Sequence, residues 1–200
     1  MGTLTMIKAV FLDRDGTLNP DEKGYIASPD DFDLYPFSAA AVKIFSELGF
    51  LVFVITNQSG IARGLYTEED LQSVHSKLLA QLSEGGAKVE KILHCPHHPE
   101  GVVKGLSKVC DCRKPGNLLF RQLQKEYPIK ARASFMIGDK PSDIGFGKNS
   151  GLQTILVRTG FGEETFRQGK ITPDFVVDDL LAAAELIRRL CKQKASQDAT

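Results

Sequence analysis

The sequence has no excess of charge of either sign and no hydrophobic run long enough for a membrane. Its 25 lysines and arginines balance its 25 aspartates and glutamates, so the formal net charge at pH 7 is zero. Without a net field that attracts polyanions, we expect no nucleic-acid and no membrane partner. The longest apolar run, at residues 49–55, is far shorter than the roughly 20 residues of a membrane helix. Because the N-terminus also lacks the basic and apolar segments of a secretory signal, we expect a cytoplasmic protein.

Cysteine is scarce, and its four positions are unevenly spread. They are Cys95, Cys110, Cys112 and Cys191. A disulfide framework is not expected in a reducing compartment. Clustering of the first three over a short stretch is typical of a metal site. The fourth stands alone in a predicted helix, where we expect it only to pack.

The composition is that of an ordinary globular protein. Hydrophobic residues make up 42% of the 200 residues and charged residues 25%, which is enough for a sizeable core. At roughly 150 residues per domain, this length favours one domain with a modest insertion. We predict a single domain over residues 1–191, a flexible solvated tail over residues 192–200, and a monomer.

Short apolar runs alternate with amphipathic segments of helix length. Strands are predicted at residues 7–12, 50–55, 89–93, 134–137, 154–157 and 175–177, and helices at 39–48, 67–82, 118–127, 142–149 and 179–191. Strands that are apolar throughout are buried on both faces, and alternation with helices indicates parallel pairing. We therefore predict an α/β fold, a Rossmann-like doubly wound parallel sheet with helices on both faces.

Two proline-containing stretches, residues 19–37 and 95–116, interrupt this alternation. Each is too short to form a domain with its own core, so we predict functional loops and no large cap domain. A substrate would then be selected by loops over an open site.

Acidic and polar residues follow three of the predicted strands. Asp13 and Asp15 come after the first strand, Thr56-Asn57-Gln58-Ser59 ends the second, and Asp139 follows a later one. The carboxyl ends of parallel strands form the ligand crevice of such a sheet. Carboxylates gathered there repel one another unless a cation neutralises them, and Mg²⁺ prefers oxygen ligands. Hydroxyl and amide groups of residues 56–59 suit phosphate oxygens, and Lys114 would add positive charge.

Each residue taken alone has a plainer explanation. An aspartate after a strand more often caps a turn or a helix. Thr56 would be a strand-end residue, Lys114 a solvated lysine, and Asp143 an acid favoured by a helix N-terminus. Only their occurrence together and in this order favours a catalytic site.

The clustered cysteines lie beside histidines in two short pairs. Cys95 and His97 form the first pair and Cys110 and Cys112 the second. Alternate residues of an extended segment point the same way, so each pair could hold one side of a tetrahedral ion. We predict a structural Zn²⁺ in a loop insertion over about residues 95–112. His94 and His98 remain possible ligands, and the alternative is a surface loop without metal.

These motifs resemble those of the haloacid dehalogenase-like phosphohydrolases. The four segments that carry the resemblance are Asp13 to Leu18, Thr56-Asn57, Lys114, and Gly138 to Asp143. The resemblance implies that Asp13 is a nucleophile that forms an aspartyl-phosphate and that Asp15 is the general acid and base. It further implies Mg²⁺ held by Asp13, Asp139 and the backbone of Asp15. Thr56 and Lys114 would stabilise the phosphoryl group, and Asp143 would support the site.

Cys-x-His followed by Cys-x-Cys-Arg-Lys-Pro is similar to the zinc-containing branch of that superfamily. This branch implies removal of the 7-phosphate from a heptose 1,7-bisphosphate or, as the alternative, hydrolysis of histidinol phosphate. The implied substrate-binding residues are Asp21, Gly24, Tyr25, Thr56, Asn57, Gln58, Ser59, Arg113 and Lys140. A non-catalytic protein that binds phosphorylated ligands is a hypothesis of another class. The paired Asp13 and Asp15 disfavour it, because binding an anion does not require two acids.

Overall fold

The computed structural model describes residues 6–21 and 24–198, with side chains to residue 197. Within this part of the chain, six strands and six helices alternate. The strands are β1 Lys8–Leu12, β2 Phe50–Asn57, β3 Lys91–Cys95, β4 Phe135–Gly138, β5 Gln153–Val157 and β6 Phe175–Val177. The helices are α1 Ser38–Glu47, α2 Glu68–Glu84, α3 Leu118–Glu126, α4 Pro141–Asn149, α5 Gly162–Gln168 and α6 Leu180–Asp198.

The six strands form one parallel sheet in the order β3-β2-β1-β4-β5-β6. This confirms the doubly wound, Rossmann-like prediction. The strand order reverses between β1 and β4, and ligands of open α/β sheets bind at such a switch point. The chain leaves β1 there at Asp13, so the sheet places the first predicted catalytic residue at its ligand-binding edge.

Side chains of β1 alternate between two hydrophobic layers. Val10 and Leu12 belong to the layer covered by α1, α2 and α6, whereas Ala9 and Phe11 belong to the layer covered by α3 and α4. All four are fully buried. Successive residues of a strand point to opposite faces, so a strand between two helical layers must be apolar at every position.

Helix boundaries differ from the sequence prediction mainly near the C-terminus. The α2 N-terminus is as predicted, with a reciprocal Thr67–Asp70 capping box. Helix α5 was not predicted, because its short Gly-Glu-Glu-Thr-Phe-Arg-Gln sequence has no apolar periodicity. Helix α6 does not end at Cys191 but continues to Asp198. Residues 192–197 are exposed to solvent, as expected for a solvated tail. The flexibility of this segment stays a prediction.

The two interrupting stretches fold as loops over the carboxyl edge of the sheet. Their apolar side chains pack mainly against the two layers, and Ala27 and Leu106 pack against a small third cluster of Ile61, Tyr66 and Leu71. Within residues 6–21 and 24–198, the two stretches therefore form no large cap domain with a core of its own. Among the helices of residues 6–21 and 24–198, none combines the length and apolarity needed to cross a bilayer.

Candidate active site

A cavity of about 380 Å³ opens at the carboxyl edge of the sheet. Its lining includes Asp13, Asp15 and Lys114, together with all nine residues predicted to bind substrate: Asp21, Gly24, Tyr25, Thr56, Asn57, Gln58, Ser59, Arg113 and Lys140. Asp139 is fully buried beside this cavity. The structure thus brings together side chains from loops far apart in the sequence, and the volume suits a small-molecule ligand.

Lys114 is buried between two carboxylates. Its Nζ lies 2.8 Å from Asp13 Oδ1 and 2.7 Å from Asp143 Oδ1, and it donates to the Ile55 carbonyl at 2.7 Å. Burial alone would lower the pKa of Lys114, but the two carboxylates hold it above its usual value. The lysine is therefore charged at neutral pH and held beside the Asp13 carboxylate, where a transferring phosphoryl group would need positive charge.

Asp139 has carboxylate capacity that the described residues do not use. Its Oδ2 accepts the Phe161 N–H at 2.8 Å, whereas its buried Oδ1 has no hydrogen-bond partner. Burial raises the pKa of Asp139 well above its usual value; Lys140 opposes this rise, while Asp143 and Asp13 add to it. An additional cation is the group that would satisfy this oxygen and offset the negative charge.

Oxygens of Asp13, Asp139 and Asp143 lie within 4.8 Å of one another, so the cluster can hold a metal ion. Both Asp143 oxygens are engaged, Oδ1 by Lys114 and Oδ2 by the Lys140 N–H at 2.8 Å. The Lys140 ammonium lies 3.2 Å from the Asp15 carbonyl and 3.5 Å from Asp139 Oδ2. The Asp15 carbonyl therefore faces the same space as Asp139, and a hard cation fits this donor set.

Close approach of the β1 loop to Asp139 depends on Gly16. Its φ is +88°, and a Cβ at this position would lie 2.2 Å from Asp139 Oδ2. The chain therefore turns sharply directly after Asp15. Glycine is the one residue that allows both the positive φ and the contact.

Asp15 is held by its neighbour Arg14. The guanidinium binds both carboxylate oxygens at 2.9 Å, and Asn19 and Gln58 donate at 3.0 and 2.9 Å. Burial would raise the pKa of Asp15, but the Arg14 charge and these hydrogen bonds lower it below its usual value. Asp15 is thus ionised and fixed in orientation.

The loop after β2 uses two of its side chains within the protein. Asn57 donates to the Lys114 carbonyl at 3.2 Å and accepts the Lys114 N–H at 3.0 Å, which fixes the backbone of that lysine. Gln58 contacts Asp15 and Thr56. Both residues line the cavity, but their hydrogen bonds are directed to neighbouring protein groups.

Two cationic side chains border the outer cavity. Arg113 has a buried Nη1 without a hydrogen-bond partner, so this group can donate to an anion. Lys140 is paired with Asp21 at 2.7 Å and lies over the Phe161 ring at 5.1 Å. Burial raises the pKa of Asp21, although Lys140 opposes the shift. Tyr25 is about half exposed at the cavity mouth.

Cys95, His97, Cys110 and Cys112 form a second cluster. Separations between neighbouring donor atoms run from 3.1 Å for the Cys95–Cys112 sulfurs to 3.7 Å for Cys95 Sγ and His97 Nδ1. A tetrahedral zinc ion with ligands at ~2.3 Å requires separations of roughly 3.5–3.8 Å. The four donors converge on one point, and all but the Cys95–His97 separation are a few tenths of an ångström shorter, so an ion at their centre would spread them slightly into a closed site. Burial raises the pKa of the Cys95 thiol, so a thiolate there needs a cation. His94 pairs with Glu68 and His98 contacts Arg63, and neither joins the cluster.

Five residues that line the cavity were not assigned to it from the sequence: Arg14, Ile26, Tyr66, Ser142 and Phe161. Arg14 is 1% exposed, although an arginine between two aspartates would ordinarily be expected in solvent. Tyr66 and Phe161 line the cavity from loops that carry no recognisable motif. No sequence signal identifies these two residues, because their position depends on how their loops fold over the sheet.

A buried aspartate and lysine at the switch point of a doubly wound sheet, beside an acidic cation site, define the class: a haloacid dehalogenase-like phosphatase. The profile of the HAD-hydrolase-like family matches residues 111–183. Over 182 residues, the chain is 41% identical to the D-glycero-D-manno-heptose-1,7-bisphosphate 7-phosphatase of Chlorobaculum tepidum, covering 88% of this chain and 92% of the relative. It is 38% identical to the D-glycero-beta-D-manno-heptose-1,7-bisphosphate 7-phosphatase of Yersinia pestis, covering 91% and 96%.

Solved structures agree with these relatives. The crystal structure of D,D-heptose 1.7-bisphosphate phosphatase from B. bronchiseptica, complexed with magnesium and phosphate, has a TM-score of 0.83 at 33% identity. The match covers 92% of this chain and 99% of that one. The chain therefore belongs to the D-glycero-D-manno-heptose-1,7-bisphosphate 7-phosphatase family of haloacid dehalogenase-like hydrolases.

Proposed function

We propose that the protein removes the 7-phosphate of D-glycero-D-manno-heptose 1,7-bisphosphate in a Mg²⁺-dependent reaction that passes through an aspartyl-phosphate on Asp13. One observation carries the proposal: Lys114 and Asp13, which both line the cavity, are in buried contact at 2.8 Å. The product would be the heptose 1-phosphate, a precursor of nucleotide-activated heptose.

The reaction would proceed in two displacements. An Asp13 carboxylate oxygen attacks phosphorus, and the bond from phosphorus to the sugar oxygen breaks. Asp15 supplies the proton to that leaving oxygen and then removes one from the water that hydrolyses the aspartyl-phosphate. Lys114 offsets the phosphoryl charge in both steps, and the Thr56 hydroxyl donates to a phosphoryl oxygen.

Two metals would support this chemistry. Mg²⁺ would be held by Asp13, Asp139 and the Asp15 carbonyl, and when bound it supplies positive charge to the phosphoryl oxygens. Zn²⁺ would be held by Cys95, His97, Cys110 and Cys112 and, with no open coordination position, would be structural. Its role would be to fix the loop that presents Arg113 and Lys114.

A bisphosphate suits the charge of the cavity. Arg113 adds a guanidinium on the outer side of Lys114, and its unpartnered Nη1 would bind the second phosphate. Asp21, Gly24 and Tyr25 would contact the sugar, and Lys140 would contact the phosphoryl group. Histidinol phosphate has no second phosphate to bind the unpartnered Nη1 of Arg113. This nitrogen and the names of the relatives both favour the heptose substrate.

Phosphate release from purified enzyme tests the proposal. Both anomers of heptose 1,7-bisphosphate, fructose 1,6-bisphosphate and histidinol phosphate would be compared with and without Mg²⁺. We expect the highest kcat/KM for one heptose anomer and no turnover without Mg²⁺. Faster hydrolysis of histidinol phosphate than of either heptose would contradict the substrate assignment. Binding of these compounds without phosphate release would favour the non-catalytic alternative.

A further inference from the structure

The side chain of Gln58 has no hydrogen-bonding capacity left for a substrate. Its Nε2 donates to Asp15 Oδ2 and to Thr56 Oγ1, each at 2.9 Å. Its Oε1 accepts from the Tyr66 hydroxyl at 2.5 Å and from Arg14 Nη2 at 3.2 Å. A primary amide has two donor hydrogens and two acceptor lone pairs, and here all four are used. Gln58 is only 2% exposed.

We propose that Gln58 is a positioning residue for Asp15 and Thr56 and not a contact of the substrate. Tyr66 and Arg14 lock its amide in one orientation. This inference rests on the acid–base role proposed above for Asp15.

The surroundings of Gln58 permit one amide orientation. Both groups at Oε1 are donors, since a guanidinium has no acceptor and the Tyr66 hydroxyl directs its hydrogen to this oxygen. At Nε2 the charged partner is the Asp15 carboxylate. An ionised carboxylate can only accept hydrogen bonds. A rotation of the amide by 180° would set Oε1 against the carboxylate and the amide hydrogens against the guanidinium. The cost of such unmatched buried groups keeps the observed orientation.

This orientation has a consequence at each of the two groups that Gln58 contacts. Thr56 Oγ1 accepts from Gln58, so the threonine keeps its own hydroxyl hydrogen for a phosphoryl oxygen in the cavity. Asp15 is fixed at Oδ2 by Gln58 and at Oδ1 by Asn19, while Arg14 binds both oxygens. These contacts use all four acceptor sites of the carboxylate, so one of them must be exchanged when Asp15 takes up its proton, while the others hold its position. A proton donor must be aligned with the leaving oxygen to be effective, and small displacements are costly.

Packing of the Tyr66 ring determines the position of its hydroxyl group. The ring is 6% exposed and packs in the small cluster with Ile61 and Leu71. It also lies directly against Gly60, where a Cβ would be 2.1 Å from the ring. Tyr66 therefore reaches Gln58 because residue 60 has no side chain, which ties together the two ends of the loop between β2 and α2.

Leaving-group dependence tests the positioning role. An alkyl sugar phosphate needs a proton on its leaving oxygen, whereas p-nitrophenyl phosphate has a leaving group that needs none. The variants are Gln58→Met and Tyr66→Phe, and the measured quantity is the single-turnover rate at saturating substrate, heptose bisphosphate or p-nitrophenyl phosphate. For Gln58→Met we expect the sugar rate to fall ~10-fold or more, with the 10²–10⁴-fold contribution of general acid catalysis as the upper limit. The aryl rate should fall much less, and Tyr66→Phe should change the ratio in the same direction.

Matched substitutions outside the site control for general effects. Gln81→Met removes a glutamine that hydrogen-bonds Leu34 and Asp33, and Tyr127→Phe alters a tyrosine that packs against Phe53 and does not line the cavity. Both should leave the two rates unchanged. Thermal unfolding and zinc content of every variant verify the fold.

Four outcomes separate the inference from the proposed function. A raised KM with unchanged single-turnover rates would make Gln58 a substrate contact and overturn the inference. Equal losses for both substrates would show a general structural role and overturn it as well. Asp15→Asn is the reference: if it discriminates between the leaving groups while the Gln58 and Tyr66 variants do not, only the inference fails. If Asp15→Asn leaves both rates unchanged, the acid–base assignment fails and the positioning role fails with it.

Discussion

At the scale of single residues, the two aspartates of the site differ in the cation that each one contacts. Asp13 has Lys114 at 2.8 Å, whereas Asp15 has the Arg14 guanidinium on both oxygens. Burial would raise the pKa of Asp15, yet Arg14 and the hydrogen bonds keep it low. A phosphate entering the cavity adds negative charge, which favours the protonated form. We therefore expect the proton for the leaving oxygen to be taken up as substrate binds.

Asp13→Asn tests the nucleophile. The amide is nearly isosteric with the carboxylate but does not form the acyl phosphate, so turnover should be lost with both sugar and aryl substrates. The fold should persist, because the β1 core is unchanged. Phosphate release and circular dichroism measure the two effects. Substantial phosphatase activity in this variant would contradict the assignment.

His75 provides a stability test at the same scale. It is buried in α2 with an unpartnered Nε2. Burial, followed by the charges of Arg14 and His94, lowers the pKa of His75 from 6.5 to about 3. Between these values the unfolded chain binds a proton that the folded protein does not. Stability is therefore lost as the pH falls below 6.5, and the contribution of this residue between pH 7 and pH 5 is about 2 kcal/mol.

In His75→Leu this loss should be absent. Urea unfolding of wild type and variant at pH 7 and pH 5 measures it, and the variant should lose about 2 kcal/mol less than wild type. Gln72→Leu, on the exposed face of the same helix, should keep the wild-type pH dependence. An equal loss of stability in His75→Leu and wild type would show that His75 is protonated in the folded protein.

At the scale of elements, the long loop between β3 and α3 is held in place by contacts at both of its ends. Cys95 ends β3 and is fully buried, whereas Cys110 and Cys112 come just before Lys114. The cysteine–histidine cluster therefore ties the start of this long loop to its catalytic end. Asn57 fastens the same end to β2 through the Lys114 backbone.

Bound zinc should stabilise the loop that carries Cys95, His97, Cys110 and Cys112. We expect about one zinc per chain by elemental analysis, and removal by a chelator should lower both the unfolding temperature and kcat. Cys110→Ser should lose the metal, whereas Cys191→Ser, at a half-buried cysteine of α6, should retain it. Natively purified protein without zinc would rule out the proposed site.

At the scale of the whole molecule, one chain supplies every group of the site. The cavity, the two clusters of candidate metal ligands and the Gln58 network lie within residues 13–161 of a single described chain. With a formal net charge of zero, the surface provides no general attraction for polyanions. We propose a monomer of the cytoplasm that acts on a small sugar bisphosphate.

Light scattering of the eluted protein tests the oligomeric state. The expected mass is that of one 200-residue chain, because described residues of one chain bring Asp13, Lys114 and Arg113 to the same cavity. Specific activity should not change with enzyme concentration. A stable dimer whose dilution lowers activity would contradict the prediction.

The sequence by itself determined the sheet, its helical layers and the identity of the acids, lysine and cluster ligands that meet at its edge. It could do so because apolar strands, turn residues and helix caps are local signals, and because parallel strands bring their carboxyl ends together. Only the tertiary structure decided that Arg14 is buried, that Gln58 has no free hydrogen-bonding group and that Tyr66 holds it. Those outcomes depend on partners brought together across the fold, such as Arg14 and Gln58, which are 44 residues apart. No local pattern specifies which polar groups face each other once water is removed.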